Sequence, residues 1–360
     1  MSGTEPPQPR TVDPGAATAP THVGPEAVTI AGEVVDPGQR RDLYCITSES
    51  YTGDRTSIPI SVLNGAEPGP RLFVTAAVHG DELNGTAVCR DLLGTVDPAE
   101  LHGVLVVVPI VNVLGAQIHS RYLPDRRDLN RTFPGSSTGS MAARMARLVF
   151  DEVVRDSDIG IDLHTAANRR TNVPQLRVRT TDARSLELAR AFGAPYILDA
   201  TLRAGSLRET AREIGVTVLT YEGGEALRLD GHAIEVGFTG VLRVLRYLGM
   251  RADGPGQPER EPVVMHESRW LRAERGGVVD MQVDFGDEVH IGQPVWTTTS
   301  PFGAERSVVE SPYDGVVIGG TTLPLVTPGD AVLHIALPGE REPSEDDPTD
   351  EEDLLGHDPS

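Results

Sequence analysis

Short apolar runs rich in Val and Ile recur through the first two-thirds of the chain: Leu72 to Val78, Val104 to Asn112, Ile159 to Leu163 and Val216 to Tyr221. Apolar on consecutive rather than alternate positions, they predict strands covered on both faces. Between them the spacing turns helical. Ser140 to Val154 places Met141, Met145, Leu148 and Val149 on one face, and His232 to Leu248 carries Ile234, Val241, Leu242, Leu245 and Leu248. Ser206 to Ile214 opens with a Ser-x-x-Glu capping box, Ser206 and Glu209, and stops at Gly215. Alternation of this kind predicts an α/β domain over residues 26–254 with a largely parallel sheet.

The pattern changes near residue 255. A linker rich in Gly, Pro and Glu (Gly254 to Pro262) leads into short strands divided by Gly-Asp and Asp-Gly turns: Phe285-Gly286-Asp287, Tyr313-Asp314-Gly315 and Pro328-Gly329-Asp330. No helical spacing survives, so residues 255–338 predict a small all-β module. Its order of strands and turns resembles the barrel-sandwich of biotinyl and lipoyl carrier domains. Those carriers need a Lys on a hairpin, and this chain contains none. At the ends, residues 1–25 carry Pro, Gly, Ala and Thr without periodicity and predict disorder. Residues 339–360 hold ten carboxylates against one Arg, a solvated, self-repelling acidic tail.

Composition narrows the chemistry. The chain has 360 residues, 53 Asp and Glu against 32 basic residues, and a formal net charge of −21. Every one of those basic residues is Arg. Schiff-base, P-loop and carrier lysines are therefore excluded, and an acidic protein without a basic run is a poor ligand for nucleic acid or an anionic membrane. Two cysteines, Cys45 and Cys89, are too few for a disulfide framework or a Cys-rich zinc module. The N-terminus lacks a basic-then-apolar signal pattern, and no apolar run reaches the ~18 residues of a membrane span. A cytoplasmic protein is expected.

Four polar clusters sit at predicted strand ends, where loops open above a parallel sheet. His79-Gly80-Asp81-Glu82 follows the Leu72 to Val78 run, and Asp162-Leu163-His164 closes the Ile159 to Leu163 run. Two imidazoles and a carboxylate, His79, His164 and Glu82, make a catalytic zinc set with a coordination position left open. A packing histidine or an Asp162–His164 ion pair at the core edge would fit each piece alone. The loop from Arg121 to Gly135 carries Asn130-Arg131, an amide beside a guanidinium fork that suits a carboxylate anchor; a surface ion-pair loop using Asp125 and Asp128 is the other reading. Tyr221-Glu222-Gly223-Gly224 places a carboxylate at a fourth strand end, where Glu222 suits a general base and otherwise only marks a turn. His102, His119, His232, His266, His290 and His334 stand alone and are expected to bind no catalytic metal, as are His22 and His357 in the ends.

Taken in order, HGDE, RDLNRTFPG, DLHT and YEGG resemble the succinylglutamate desuccinylase/aspartoacylase family, a branch of the zinc carboxypeptidase fold, from about residue 45 to about residue 340. The resemblance implies a mixed, largely parallel sheet flanked by helices with the β module behind it. It implies one Zn²⁺ on His79, Glu82 and His164, and Glu222 as general base and acid. It implies that Asn130 and Arg131 hold the substrate's carboxylate and that an upstream Arg polarises the scissile carbonyl; Arg121 is the best match and Arg127 its rival. Asp162 would orient a metal ligand or an Arg. The implied activity is removal of an acyl group from an N-acylated amino acid or similar small carboxylate. A carboxypeptidase-like enzyme cutting a peptide or γ-glutamyl bond, and a non-catalytic metal-binding scaffold, are the alternatives. Whether the chain forms a homo-oligomer is left open.

Overall fold

The computed structural model describes residues 26–49, 51–303 and 306–339; the N-terminal segment 1–25 and the acidic tail beyond Gly339 lie outside the described residues. The architecture is mixed α/β, organised on one large mixed sheet. At its centre four strands run parallel: His102–Val108, Glu67–Ala76, Ile159–Ala166 and Thr217–Glu225. Helices lie between these strands in sequence, which gives the chain the length a parallel crossover needs.

The largely parallel character expected from the sequence holds at this centre and fails on the flanks. Gln39–Glu49 and Arg55–Asn64 pair antiparallel on one side, and Arg55–Asn64 joins His102–Val108 the same way. On the other side Arg170–Val178 runs antiparallel to Thr217–Glu225. Arg170 begins only four residues after Ala166, yet the two strands do not pair: Thr217–Glu225 lies between them.

Both faces of the parallel centre are covered. Leu72, Val74, Ala76, Ile161, Leu163, Leu176, Leu219 and Tyr221 point to the face packed by helices Asn84–Thr95, Ala183–Phe192 and Gly231–Tyr247. Phe73, Val106, Val108 and Val218 point to the opposite face, covered by helices Met141–Val149 and Leu207–Glu213. Each fully buried aliphatic side chain contributes about 1.5–3 kcal/mol, so the strand ends rest on a rigid base. The expected Ser140–Val154 helix is α-helical to Val149 and then widens into a π turn over Phe150–Val154. Ser206 Oγ caps its helix by accepting from Glu209 N at 3.1 Å, while the Glu209 carboxylate reaches back to Gly205 N at 2.9 Å rather than to Ser206.

After the linker the described chain is all strand and turn. It does not form a separate sheet alone. Glu267–Arg272, Ala331–Leu337 and Gly315–Thr321 extend the large sheet, with Gly315–Thr321 pairing antiparallel to Arg170–Val178. A four-stranded sheet of Arg306–Glu310, Pro294–Thr299, Gly277–Met281 and Leu325–Val326 accompanies it, and a core containing buried Trp296, Val317, Leu333 and Ile335 joins them. Among the described residues no helix is long and apolar enough to cross a membrane.

Candidate metal centre

The Glu67–Ala76 strand ends in a tight turn that carries the first two candidate ligands. Ala77 takes a left-handed conformation, φ +49°. Gly80 presses on the short helix Val113–Gln117 so closely that a Cβ there would lie 2.2 Å from Ala116 N. The turn closes with Glu82 N donating to His79 O at 3.2 Å. It brings His79 Nδ1 to 2.7 Å from Glu82 Oε1. The parallel neighbour Ile159–Ala166 supplies Asp162 and His164, two positions apart and so on one face. His164 Nδ1 lies 2.7 Å from the other Glu82 oxygen, which also accepts from Thr165 N at 3.2 Å. The two rings stand 5.0 Å apart at 57°. His79, Glu82 and His164 are all buried, and their ligand atoms lie within 4.8 Å of one another. No other histidine joins such a cluster among the described residues.

Each ring turns its second nitrogen to a carboxylate. His164 Nε2 lies 2.7 Å from Asp162 Oδ2, and Asp162 Oδ1 accepts from Thr75 Oγ1 at 2.7 Å. His79 Nε2 lies 3.3 Å from Asp128 Oδ1. Burial opposes charge on both rings, but the surrounding carboxylates outweigh it: Asp162 and Glu82 push the His164 pKa well above its ordinary value, and Glu82 and Asp128 raise that of His79 against burial and Arg121. Burial likewise opposes the Glu82 anion, yet the two imidazoles hold its carboxyl well below the usual carboxylate range. The electrostatics therefore favour positive charge between the Nδ1 atoms and Glu82. Two nitrogens and a carboxylate facing inward, with the outer nitrogens anchored on carboxylates, fit a divalent cation that would take the place of the protons.

The remaining sequence-marked residues divide. Arg121 reaches the centre, with Nη1 3.3 Å from Glu82 Oε1 and Nη2 3.1 Å from Asp128 Oδ2. Arg127 stays exposed on the loop, its backbone N donating to Asp125. Asn130 and Arg131 lie on a 3₁₀ turn, Leu129–Arg131, capped by Asp128, which accepts from Asn130 N at 2.7 Å. Asn130 Oδ1 accepts from Leu207 N at 2.9 Å, tying this turn to the first residue of the Leu207–Glu213 helix. Arg131 is exposed and donates to Asn130 O at 2.9 Å.

Glu222 lies one strand from His164, one of the candidate ligands. It is the register partner of His164 on one side and of Gln175 on the other, so all three side chains leave the same face of the sheet. Its Oε2 accepts from Asn172 Nδ2 at 3.0 Å, and its Oε1 is 3.7 Å from Arg177 Nε.

Sequence reasoning did not assign Asp128 to a ring, nor Thr75, Asn172 or Arg177 to the site. Asp128 sits inside the motif run and could have been found there. Asn172 and Arg177 carry no local signal, because only strand pairing brings them to Glu222.

A family model for the succinylglutamate desuccinylase/aspartoacylase catalytic domain matches residues 68–248. Among curated proteins, the N-alpha-acetyl-L-2,4-diaminobutyric acid deacetylase of Halomonas elongata is 28% identical over 306 residues, covering 81% of this chain and 89% of that protein. Among solved structures, a succinylglutamate desuccinylase/aspartoacylase from Rhodobacter sphaeroides is similar with a TM-score of 0.75 at 27% identity, over 85% of this chain and 98% of that one. The product-bound ectoine utilization protein EutE (DoeB) from Ruegeria pomeroyi has a TM-score of 0.73 at 25% identity, over 83% and 95% of the two chains.

Proposed function

The chain belongs to the succinylglutamate desuccinylase/aspartoacylase family, and from that premise we propose that it is a zinc-dependent amidohydrolase that removes an acyl group from an N-acylated amino acid or similar small carboxylate. The observation that carries the reading is the register of Glu222 with His164, which sets an acid–base carboxylate on the same face as a buried His–Glu–His cluster. The similar Halomonas elongata protein is by name a deacetylase of an N-acetylated amino acid, which supports an N-acyl amino acid as the substrate class. Residues 26–254 form the hydrolase domain in this reading, and residues 255–338 a β module joined to it through the large sheet.

His79, Glu82 and His164 would hold one Zn²⁺ per chain. Bound there, zinc supplies Lewis acidity, which acidifies water and polarises an amide carbonyl. The protein's own groups do the rest. Glu222 takes a proton from the attacking water and returns it to the nitrogen as the C–N bond breaks, so a carboxylate and an amine leave. Arg121, beside Glu82, stabilises negative charge as it develops on the carbonyl oxygen. Arg131, with Asn130, takes the substrate's carboxylate and so selects which carbonyl faces the centre. Asp162 and Asp128 keep the two rings in the orientation that points Nδ1 inward.

Purified protein should contain about one zinc per chain and hydrolyse members of a panel of N-acyl amino acids. Cleavage of C-terminal peptides without cleavage of acyl amino acids would replace the proposal with a carboxypeptidase. Metal without hydrolysis of either class would leave a scaffold.

A further inference from the structure

The backbone ladder is interrupted immediately after Glu222. Pairing to Ile159–Ala166 shifts register between Glu222 and Glu225, pairing to Arg170–Val178 shifts between Glu222 and Gly224, and Gly224 takes φ +77°. Side-chain contacts must therefore set the aim of the Glu222 carboxylate. Asn172, buried on Arg170–Val178, donates Nδ2 to Glu222 Oε2 at 3.0 Å. A neutral amide donor suits this duty, since it fixes a carboxylate oxygen without competing for the proton that a base must carry.

The far side of Asn172 is walled by the C-terminal part of the chain. Gly319, on the Gly315–Thr321 strand, is the register partner of Asn172. A Cβ at Gly319 would lie 2.7 Å from Asn172 Oδ1 and 2.6 Å from Thr171 O, nearer than real Cβ atoms come. Gly319 is not among the residues with positive φ, so the glycine answers to space rather than to backbone conformation. Just beyond, Thr322 N donates to Arg169 O at 2.9 Å and Thr322 Oγ1 to Glu225 Oε1 at 3.0 Å. The same C-terminal segment thus touches Glu225 directly and packs against Asn172, the hydrogen-bond partner of Glu222.

We propose that Asn172 is the positioning residue of Glu222, and that Gly319 of the C-terminal strand makes the room in which it acts. The β module is in this sense part of the site, reaching the general base through one amide. The inference rests on the reading of Glu222 as that base.

The test uses the full-length, zinc-loaded protein as wild type, Asn172→Ala, Gly319→Ala, the double variant and Glu222→Gln. Asn172→Ala should lower kcat about ten- to hundredfold with KM within about threefold, the pattern of a misaimed reacting group. Zinc content should not change. Gly319→Ala should lower kcat in the same direction, and the double variant should lose less than the product of the two single losses, because both reach Glu222 through the Asn172 amide. A crystal structure of Gly319→Ala should show Asn172 Nδ2 beyond hydrogen-bond distance of Glu222. Wild-type kcat in Asn172→Ala, or losses that multiply independently in the double variant, would overturn the proposal. If Gly319→Ala does not fold, the Asn172→Ala kcat decides alone. Wild-type turnover in Glu222→Gln would instead remove the functional reading beneath it.

Discussion

His164 meets Glu82 across 82 positions of sequence, Nδ1 to Oε2 at 2.7 Å. The contact exists because the strands carrying them are parallel neighbours, with Ala76 opposite Leu163 at their carboxyl ends. Side chains from two such strand ends need only short turns to converge, and the buried sheet below holds those turns still. His79 and His164 each meet a different oxygen of Glu82, and their outer nitrogens face Asp128 and Asp162, so all three side chains are anchored on buried elements of the fold.

Chelation should therefore remove the metal without unfolding the protein. The zinc-loaded form should melt at a higher temperature, because an ion that binds only the native state adds about 2.7 kcal/mol when free metal is 100 times its Kd. Calorimetry before and after chelator, with zinc added back, measures this. A chain that unfolds on chelation would show that the ion and not the sheet organises the cluster.

Asp162→Asn should weaken zinc binding about 10–100-fold, the usual cost of removing the carboxylate behind a ligating imidazole. The substitution keeps an acceptor oxygen for His164 Nε2 but removes the negative charge that lies 2.7 Å from it. Thr75→Val, which takes away the hydrogen bond that orients Asp162, should act in the same direction and less. Competitive zinc titration against a chromogenic chelator reads both. Unchanged affinity in Asp162→Asn would show that His164 is oriented by Glu82 alone.

The buried His79–Glu82–His164 cluster was legible in the sequence because HGDE and DLHT each place their residues within four positions at the end of an apolar run. That run predicts the strand, and the strand end predicts the site. The loop motif was half legible. It offered Arg121 as the better match with Arg127 as its rival, and folding largely buries the first and exposes the second. Asn172 was not legible, since Arg170–Val178 mixes Arg, Thr, Asn and Gln with its apolar residues and lacks a continuous run. Asn172 and Arg177 reach Glu222 while Leu176 and Val178 face the helices. Nor could the linker after Gly254 show that Gly315–Thr321 would add itself to the large sheet, because the partner of an edge strand is set by non-local pairing.

Arg121 and Arg127 separate by substitution to Met. Arg121 bridges Glu82 and Asp128 with its side chain largely buried, whereas Arg127 is exposed. Arg121→Met should lower kcat about 10²–10³-fold, the scale of losing one donor to a developing oxyanion. Arg127→Met should stay within about twofold of wild type, as exposed charges usually contribute ~1 kcal/mol or less. Steady-state kinetics on the best N-acyl substrate provide the comparison, and a larger loss at Arg127 would transfer the role to it.

Glu222→Gln should keep the zinc and the fold while losing about 10²–10⁴-fold in kcat, the contribution of a positioned acid–base group. The amide has the size of the carboxyl and still offers an oxygen to Asn172 Nδ2, so the 3.0 Å contact survives. What disappears is the ability to carry a proton from water to the leaving nitrogen. The 3.7 Å ion pair with Arg177 also goes, which should leave thermal stability slightly changed and metal content untouched, because the ligands lie on other strand ends. Turnover, zinc analysis and a melting curve on one preparation separate these effects. Loss of zinc together with turnover would mean that the carboxylate holds the metal centre together; retained turnover would mean that another group moves the proton.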